Sequence, residues 1–265
     1  MNSKIMEEKK VELLENEELT YLRAWDLNVI QKKNGYRFSL DSLLLAGLAD
    51  LRGFKRVIDL GAGSGVLSLI IAKRFSGVRI TAVEVQDEFV DMMRRSVILN
   101  GLDDRISAMK ASFGELKNLF SSSVFDAVIS NPPYWPSSFA KNKNMPNSEI
   151  IARYEVLTDI YEFVYVSSYL LKNRGKLFVI YPSQRLVTFV EALRRYGLEP
   201  KRLRFVHPCR HKKSEFVYVE CVKGGKESVV VDPPLFVYSD SKKNLYSKEV
   251  AEIIGVKGEL VDQEG

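Results

Sequence analysis

The chain has 265 residues, of which 46% are hydrophobic and 28% are charged, as in an ordinary soluble globular protein. No apolar run reaches the roughly 20 residues of a membrane span, and the N-terminus lacks the apolar core of a signal peptide. We therefore expect a cytoplasmic protein of one structural domain. Its two cysteines, Cys209 and Cys221, have no metal-type spacing, so we expect reduced thiols and no bound metal.

The net charge is +5, and it is unevenly distributed. Between Gly197 and Lys226 there are eight Lys or Arg residues against three Glu, a difference that equals the whole excess. A localised basic region is a candidate footprint for a polyanion such as a nucleic acid. A solvated loop that only keeps the protein soluble is the alternative.

Apolar runs of strand length alternate with helical patterns between residues 55 and 196. The predicted strands are 56–60, 79–83, 105–110, 124–130 and 176–181. The predicted helices are 65–75, 87–100, 159–171 and 183–196. This rhythm predicts an α/β fold with a parallel, doubly wound sheet and helices on both faces. Runs 202–206 and 216–222 predict an antiparallel hairpin at the end of the sheet.

Two extensions flank this predicted core, which we place at residues 55–226. Residues 1–54 form the N-terminal extension, with a helix predicted at 41–51. Residues 227–265 form the C-terminal extension, with a strand predicted at 229–237 and a short helix at 247–254. No internal repeat or long linker divides the chain.

A glycine loop follows the first predicted strand of the core. Asp59 ends the strand, and glycines follow at positions 61, 63 and 65. Such a loop turns tightly and lets the backbone approach a ligand. The third glycine of the dinucleotide fingerprint falls at Val66, so the pattern suits a methyltransferase better than a dehydrogenase. A generic strand–helix turn is the structural alternative.

Glu84 ends the next predicted strand. A carboxylate at that point accepts hydrogen bonds from the ribose hydroxyls of a nucleoside cofactor. This prediction supports nucleoside binding but does not choose between NAD and S-adenosylmethionine.

The segment Asn131-Pro132-Pro133-Tyr134 follows the apolar run 124–130. Two prolines stiffen the carboxyl end of this strand, where ligands bind in open α/β sheets. The Asn131 side-chain oxygen and the Pro132 carbonyl can both accept hydrogen bonds from one NH₂ group, and Tyr134 offers a face for a stacked base. The turn and the glycine loop together predict an S-adenosylmethionine-dependent methyltransferase acting on a planar amino group. Alignment and desolvation would drive transfer without a strong general base.

These motifs resemble the bacterial tRNA (adenine-N6) methyltransferases that modify the purine 3′ of the anticodon, first described for a valine tRNA. The resemblance covers nearly the whole chain. It rests on segments 38–46 (FSLDSLLLA), 59–65 (DLGAGSG), 83–84, 131–134 (NPPY), 152–155 (ARYE), 233–235 and 246–249. Two departures stand out: Ser112 replaces the aspartate that usually holds the cofactor's adenine amine, and Tyr154 replaces a histidine.

The resemblance implies a seven-stranded class I methyltransferase fold, S-adenosylmethionine as donor and a tRNA adenine in the anticodon loop as target. The predicted catalytic residues are Asn131, Pro132, Pro133 and Tyr134. The predicted cofactor contacts are Phe38, Asp41, Asp59, Gly61, Ala62, Gly63, Gly65, Glu84, Val85, Ser112 and Asn131. The predicted RNA contacts are Tyr134, Trp135, Lys141, Lys143, Arg153, Arg210, Lys212 and Lys213. We expect the N-terminal extension to cover the cofactor site, and a monomer is favoured.

Three other functions remain open at this point. The same turn suits methylation of a guanine N2 amine in ribosomal RNA or of a glutamine N5 amide in a protein. A catalytically idle RNA-binding module is the third. Fewer than 60 residues precede the first core strand, which leaves little room for the larger N-terminal domain of glutamine enzymes.

Overall fold

The computed structural model describes residues 11–35, 37–132, 159–240 and 245–256, with the backbone alone at 135–136 and 154–155. The strands are β1 (Glu17–Leu22), β2 (Leu27–Lys32), β3 (Arg56–Leu60), β4 (Arg79–Glu84), β5 (Ile106–Lys110), β6 (Phe125–Ser130), β7 (Trp135–Pro136), β8 (Tyr154–Glu155), β9 (Leu171–Pro182), β10 (Leu198–His207), β11 (Phe216–Lys223), β12 (Val230–Val231), β13 (Leu235–Phe236), β14 (Tyr238–Asp240) and β15 (Leu245–Tyr246). The helices are α1 (Leu40–Leu48), α2 (Val66–Arg74), α3 (Asp87–Leu99), α4 (Leu116–Leu119), α5 (Ile160–Leu170), α6 (Leu186–Arg195) and α7 (Lys248–Ile253).

The central sheet has seven long strands in the order β10-β11-β9-β6-β3-β4-β5. Strands β9, β6, β3, β4 and β5 run parallel, and β11 is antiparallel to both of its neighbours. The short strands β12 and β13 add to the outer edge of β10, which makes nine strands in all. The predicted α/β class, the parallel core and the terminal hairpin are confirmed.

Alternating side chains of the core strands enter two hydrophobic clusters, because successive residues of a strand point to opposite faces. Val57 and Ala127 pack with α1, α2 and α3, whereas Ile58 and Val128 pack with α4, α5 and α6. Helices therefore cover both faces of the sheet, as predicted. None of the helices in the described part of the chain is long and apolar enough to cross a membrane.

The N-terminal extension contains a hairpin that the sequence reading missed. Strands β1 and β2 pair antiparallel and form a separate two-stranded sheet. Ile30 packs on Phe89 and Met92 of α3, and its backbone N–H donates to the Ser96 hydroxyl at 2.9 Å. The hairpin is thus attached to the core through α3, and Leu27 and Val29 of β2 enter the main hydrophobic cluster.

The predicted single strand at 229–237 is wrong. The structure has two separate two-residue strands there, β12 and β13, and both pair with β10. Pro233 and Pro234 lie between them and have no N–H to donate to a ladder, so pairing is interrupted. The predicted C-terminal helix is present as α7.

Candidate active site at the carboxyl ends of β3, β4 and β6

Three sequence motifs meet at one edge of the sheet because their strands are neighbours. The glycine loop follows β3, Glu84 ends β4, and Asn131 follows β6. Strand β3 lies between β4 and β6 in the sheet, and all three are parallel. Carboxyl ends of adjacent parallel strands form the crevice where open α/β sheets bind ligands.

The glycine loop requires glycine for two reasons: its backbone has positive φ angles, and an added β-carbon would be too close to a neighbouring side chain. Gly61, Gly63 and Gly65 have φ angles of +74°, +54° and +85°, a region that favours glycine. A β-carbon on Gly65 would lie 2.6 Å from the Met93 Cγ, so the loop also packs closely on α3. The Gly61 N–H donates to the Val83 carbonyl at 2.9 Å, which ties the loop to β4.

Glu84 fixes the loop as well as facing the crevice. Its Oε2 accepts from the Gly63 N–H at 3.0 Å, and its Oε1 accepts from the N–H groups of Val85 and Gln86 at 2.9 and 3.0 Å. Burial raises the pKa of Glu84, and the backbone hydrogen bonds oppose that rise. Two carboxylate oxygens offer about four acceptor positions, so capacity remains for a ligand hydroxyl. The sequence reading missed this bond to the loop.

Asp59 lies beneath the loop and is fully buried. Its Oδ2 accepts from the Ser68 hydroxyl of α2 at 2.7 Å, and its Oδ1 has no partner among the described residues. Burial, with a smaller contribution from the charge of Glu84, raises the pKa of Asp59 to about 7. The structure therefore places this carboxyl under the crevice floor, and its contact with a cofactor stays a prediction.

Ser112, which follows β5, already forms hydrogen bonds as the cap of the short helical turn that comes after it. Its backbone N–H and its hydroxyl both donate to the Glu115 Oε2, at 2.8 and 2.6 Å. These bonds lower the pKa of Glu115, the side-chain hydrogen bond most. The Ser112 oxygen keeps lone pairs that can accept a hydrogen bond from a ligand.

Asn131 contacts the first turn of α1. Its Nδ2 donates to the Ser42 hydroxyl at 3.0 Å, whereas its Oδ1 is buried without a partner among the described residues. Asp41 is buried, and its Oδ1 accepts from the Ser42 N–H at 3.0 Å and from the Ser39 hydroxyl. The sequence reading included Asp41 and missed Ser42, since nothing in a lone helical serine indicates a partner 89 residues away.

A pocket of about 230 Å³ opens beside Asn131. Its walls come from the start of α1, the Asn131–Pro132 turn, the tip of the β10–β11 hairpin and the C-terminal segment. The lining residues are Arg37, Ser39, Leu40, Asp41, Leu44, Asn131, Pro132, Val206, Pro208, Glu215, Phe216, Val237 and Tyr238. Tyr238 stacks on Tyr246 with ring centroids 5.6 Å apart and planes 8° apart, which fixes its ring.

Several predicted site residues lie outside the described residues, namely Pro133, Tyr134, Lys141, Lys143 and Arg153. For Trp135 only the backbone is described. Strand β7, which contains it, pairs in parallel with β8, so Trp135 lies opposite Tyr154. Residues 135–136, which follow the Asn131–Pro132 turn, and residues 154–155 are therefore neighbours.

Three of the eight cations of the basic window are used within the fold. Arg202 pairs with Asp232 and Arg204 with Glu249, each at 2.5 Å. The Lys223 ammonium donates to two backbone carbonyls near the end of α5. These cations hold the C-terminal extension and a helix end, so they are not free for a polyanion.

The hairpin tip is different. Arg210, Lys212 and Lys213 are exposed there, between the pocket-lining residues Pro208 and Glu215. The Arg210 guanidinium lies over the Phe236 ring, 5.9 Å from its centroid. The three cations lie in the segment that joins two residues of the pocket lining, Pro208 and Glu215. Within the described part of the chain, no group of His, Cys, Asp and Glu side chains is arranged to hold a metal.

The family described as "Methyltransferase small domain" matches residues 39–189, more than half of the chain. The chain belongs to this family. Relatives named tRNA1(Val) (adenine(37)-N6)-methyltransferase include one from Shewanella woodyi, 31% identical over 67% of this chain and 75% of its own length. Another, from Phocaeicola vulgatus, is 28% identical over 71% of this chain and 77% of its own length.

Solved structures agree on the fold. A protein from Agrobacterium tumefaciens, described as a predicted O-methyltransferase, superposes with a TM-score of 0.65 at 21% identity. The match covers 82% of this chain and 96% of that protein. The class I methyltransferase fold implied by the resemblance is therefore confirmed.

The crevice fits the cofactor of this family, S-adenosylmethionine. The positive φ angles of Gly61 and Gly63 leave a backbone cradle free of β-carbons. Glu84 keeps about one acceptor position for a ribose hydroxyl. The Asn131 Oδ1, which has no partner among the described residues, follows β6 on the other side of β3. The family and the residues thus agree on the methyl donor.

Proposed function

We propose that this protein methylates the exocyclic N6 amine of an adenosine in tRNA, next to the anticodon, with S-adenosylmethionine as donor. One observation carries the proposal. The Asn131 side chain presents a buried oxygen that has no partner among the described residues, at the end of the strand beside the glycine loop, where we place the amine and the methyl donor. The tRNA and the adenine come from the names of the relatives.

The glycine loop and Glu84 would hold the donor. When bound, S-adenosylmethionine supplies an electrophilic methyl group that needs no further activation. The chain's part is to bind and orient: the loop backbone approaches closely, and the Glu84 carboxylate accepts from hydroxyls. Because Glu84 is anchored by three backbone N–H groups, its oxygens are already oriented before a ligand arrives.

Asn131 would orient the acceptor amine. Its Oδ1 accepts one N–H of the amine, and the Pro132 carbonyl accepts the other. Two acceptors on one NH₂ group hold the nitrogen in place and favour pyramidalisation, which turns its lone pair toward the donor. The methylated nitrogen then loses its proton to water. Catalysis comes mainly from alignment and from the exclusion of water.

The pocket beside Asn131 would take the target base. Phe216 and Tyr238 are half-buried aromatic residues of its lining, and aromatic faces are where unstacked bases bind. Bases in a tRNA loop can be splayed out at small cost, unlike bases within a duplex. The exposed cations at the hairpin tip lie between two residues of the lining, Pro208 and Glu215, and would meet the phosphates of that loop.

The test is an incubation of the protein with methyl-labelled S-adenosylmethionine and total tRNA from cells that lack this modification. The tRNA is then digested to nucleosides. We expect the label in N6-methyladenosine. Parallel incubations with ribosomal RNA and with protein extract are the controls. Label in N2-methylguanosine of ribosomal RNA or in methylglutamine of protein, with none in tRNA, would contradict the proposed substrate. The identity of the methyl donor and the role of the Asn131 turn would stand.

A further inference from the structure

We propose that Ser42 is a positioning residue that holds the Asn131 amide with its oxygen toward the substrate. The inference rests on the proposed function, because it assigns Asn131 Oδ1 to an acceptor amine. Ser42 lies in the first turn of α1, 89 residues from Asn131, and it is 6% exposed. It acts only through Asn131 and does not contact the reacting atoms.

The amide of an asparagine needs such a partner. Its terminal torsion is broad and roughly two-fold, so an amide that is not held presents either its oxygen or its NH₂ group. Only the oxygen accepts a hydrogen bond from a substrate amine. The Asn131 Nδ2 donates to the Ser42 Oγ at 3.0 Å, which leaves Oδ1 on the other side.

The orientation of the amide depends on this bond. In the described part of the chain no group donates to the Asn131 Oδ1, so the oxygen itself is not held. The hydrogen bond from Nδ2 to the Ser42 hydroxyl therefore holds the amide by its NH₂ end and leaves its oxygen for the substrate.

Ser42 itself is held in place. Its N–H donates to Asp41 Oδ1 at 3.0 Å, and the next turn of α1 buries Leu44 and Leu45 in the main hydrophobic cluster. A hydroxyl on an anchored helix is a fixed point for a loop residue. The first turn of α1 therefore takes part in catalysis through the catalytic turn.

The kinetic test uses Ser42→Ala and Ser42→Thr. Because small misplacement of a catalytic group costs up to about a hundredfold, we expect Ser42→Ala to lower kcat by about tenfold to a hundredfold. The dissociation constant of S-adenosylhomocysteine should stay within about twofold, since the glycine loop is untouched. Ser42→Thr keeps the hydroxyl and should restore most of kcat.

A matched control is Ser167→Ala, which removes another buried helical hydroxyl. Ser167 lies in α5 and donates to the Phe163 carbonyl at 2.8 Å, away from the crevice. It should leave kcat unchanged. An unchanged kcat in Ser42→Ala would overturn the proposal. So would a parallel loss of donor binding, or an equal loss in Ser42→Thr, because either result assigns Ser42 a general structural role.

A second measurement needs no substrate and separates this inference from the proposed function. In protein labelled with ¹⁵N-asparagine, the Asn131 side-chain NH₂ signals are assigned by their absence in Asn131→Ala. We expect their hydrogen exchange to be at least about tenfold slower in the wild type than in Ser42→Ala, because a held N–H exchanges only after opening. Equal exchange would contradict the Ser42 bond even if tRNA is methylated. Slow exchange without tRNA methylation would keep the bond and reject the substrate.

Discussion

The two halves of the crevice are built in different ways. The donor half, the glycine loop with Glu84, comes from consecutive elements, and its central hydrogen bond joins Gly63 and Glu84 across 21 residues. The acceptor half joins Asn131 to Ser42 across 89 residues, and its pocket adds the β10–β11 tip and Tyr238. The donor half is thus a local βαβ unit, whereas the acceptor half is an assembly of distant segments.

This difference matches the division of labour. The donor unit is contiguous in the chain, so it appears in the sequence as a short motif. The acceptor differs between methyltransferases, so its pocket is made from segments that can change separately. Changes in the two halves should therefore have separable effects. A change in the acceptor half should lower the rate of methyl transfer, whereas a change in the donor half should lower stability or donor binding.

The largest expected effect is that of Asn131→Ala. Loss of the oxygen that orients the amine should lower the single-turnover rate of methyl transfer by about 10²–10³-fold, as for other preorganised hydrogen-bonding groups. Donor affinity, measured by titration with S-adenosylhomocysteine, should change little. The control Asn118→Ala changes an exposed asparagine on α4 and should be silent. Full activity in Asn131→Ala would refute the role of the turn.

Gly65→Ala tests the donor half through stability. The left-handed backbone costs roughly 1–2 kcal/mol for alanine, and the contact with Met93 adds overpacking of about 1–3 kcal/mol. We expect urea denaturation to show a loss of about 2–5 kcal/mol. Gly53→Ala is the matched control, because Gly53 has φ +84° and no neighbour within 4 Å of the added carbon. Equal losses in the two variants would show that packing on Met93 contributes nothing.

Asp59 gives a pH-dependent prediction. Its pKa is raised from 3.8 to about 7 in the folded protein, so the folded state binds this proton more tightly than the unfolded state. The protein should therefore lose stability as the pH rises, by about 2 kcal/mol between pH 5.5 and 8 from this group. In Asp59→Asn this loss should disappear. Urea denaturation of both proteins at the two pH values measures it, and identical pH dependence would contradict the raised pKa.

The smallest expected effect concerns RNA binding at the hairpin tip. The triple variant Arg210→Ala/Lys212→Ala/Lys213→Ala should raise the KM for tRNA by about tenfold. The slope of log K against log salt concentration should become smaller in magnitude by about two. Donor affinity should not change. The control removes three exposed basic side chains at the opposite edge of the sheet: Lys55, Arg56 and Arg79. An equal change in the control would indicate a general charge effect.

The same contrast explains what the sequence could predict. Strand β3 is predicted at its observed bounds, and the predicted strand at 79–83 ends one residue before the observed β4, because buried parallel strands are continuous apolar runs. The glycine loop and Asn131 follow from local motifs. The start of β9 at Leu171 is missed because Lys172, Asn173 and Arg174 are polar, and no apolar pattern marks them.

Long-range contacts were beyond the sequence reading. The ion pair between Arg202 and Asp232 converts a residue of the basic window into an anchor for the C-terminal extension. Likewise, Ser42 and Tyr238 reach the acceptor pocket only through tertiary packing. No spacing in one sequence specifies such partners, since register and packing place them, not local propensity.

The most direct test of the central claim compares two acceptors in one tRNA. Full-length tRNA is assembled with either adenosine or 2-aminopurine riboside at the position 3′ of the anticodon. These bases differ only in the place of their exocyclic amine. Single-turnover transfer from labelled S-adenosylmethionine is then followed for each. We predict labelled N6-methyladenosine with the first tRNA and no label at that position with the second. Equal or faster labelling of 2-aminopurine would contradict an N6-directed site.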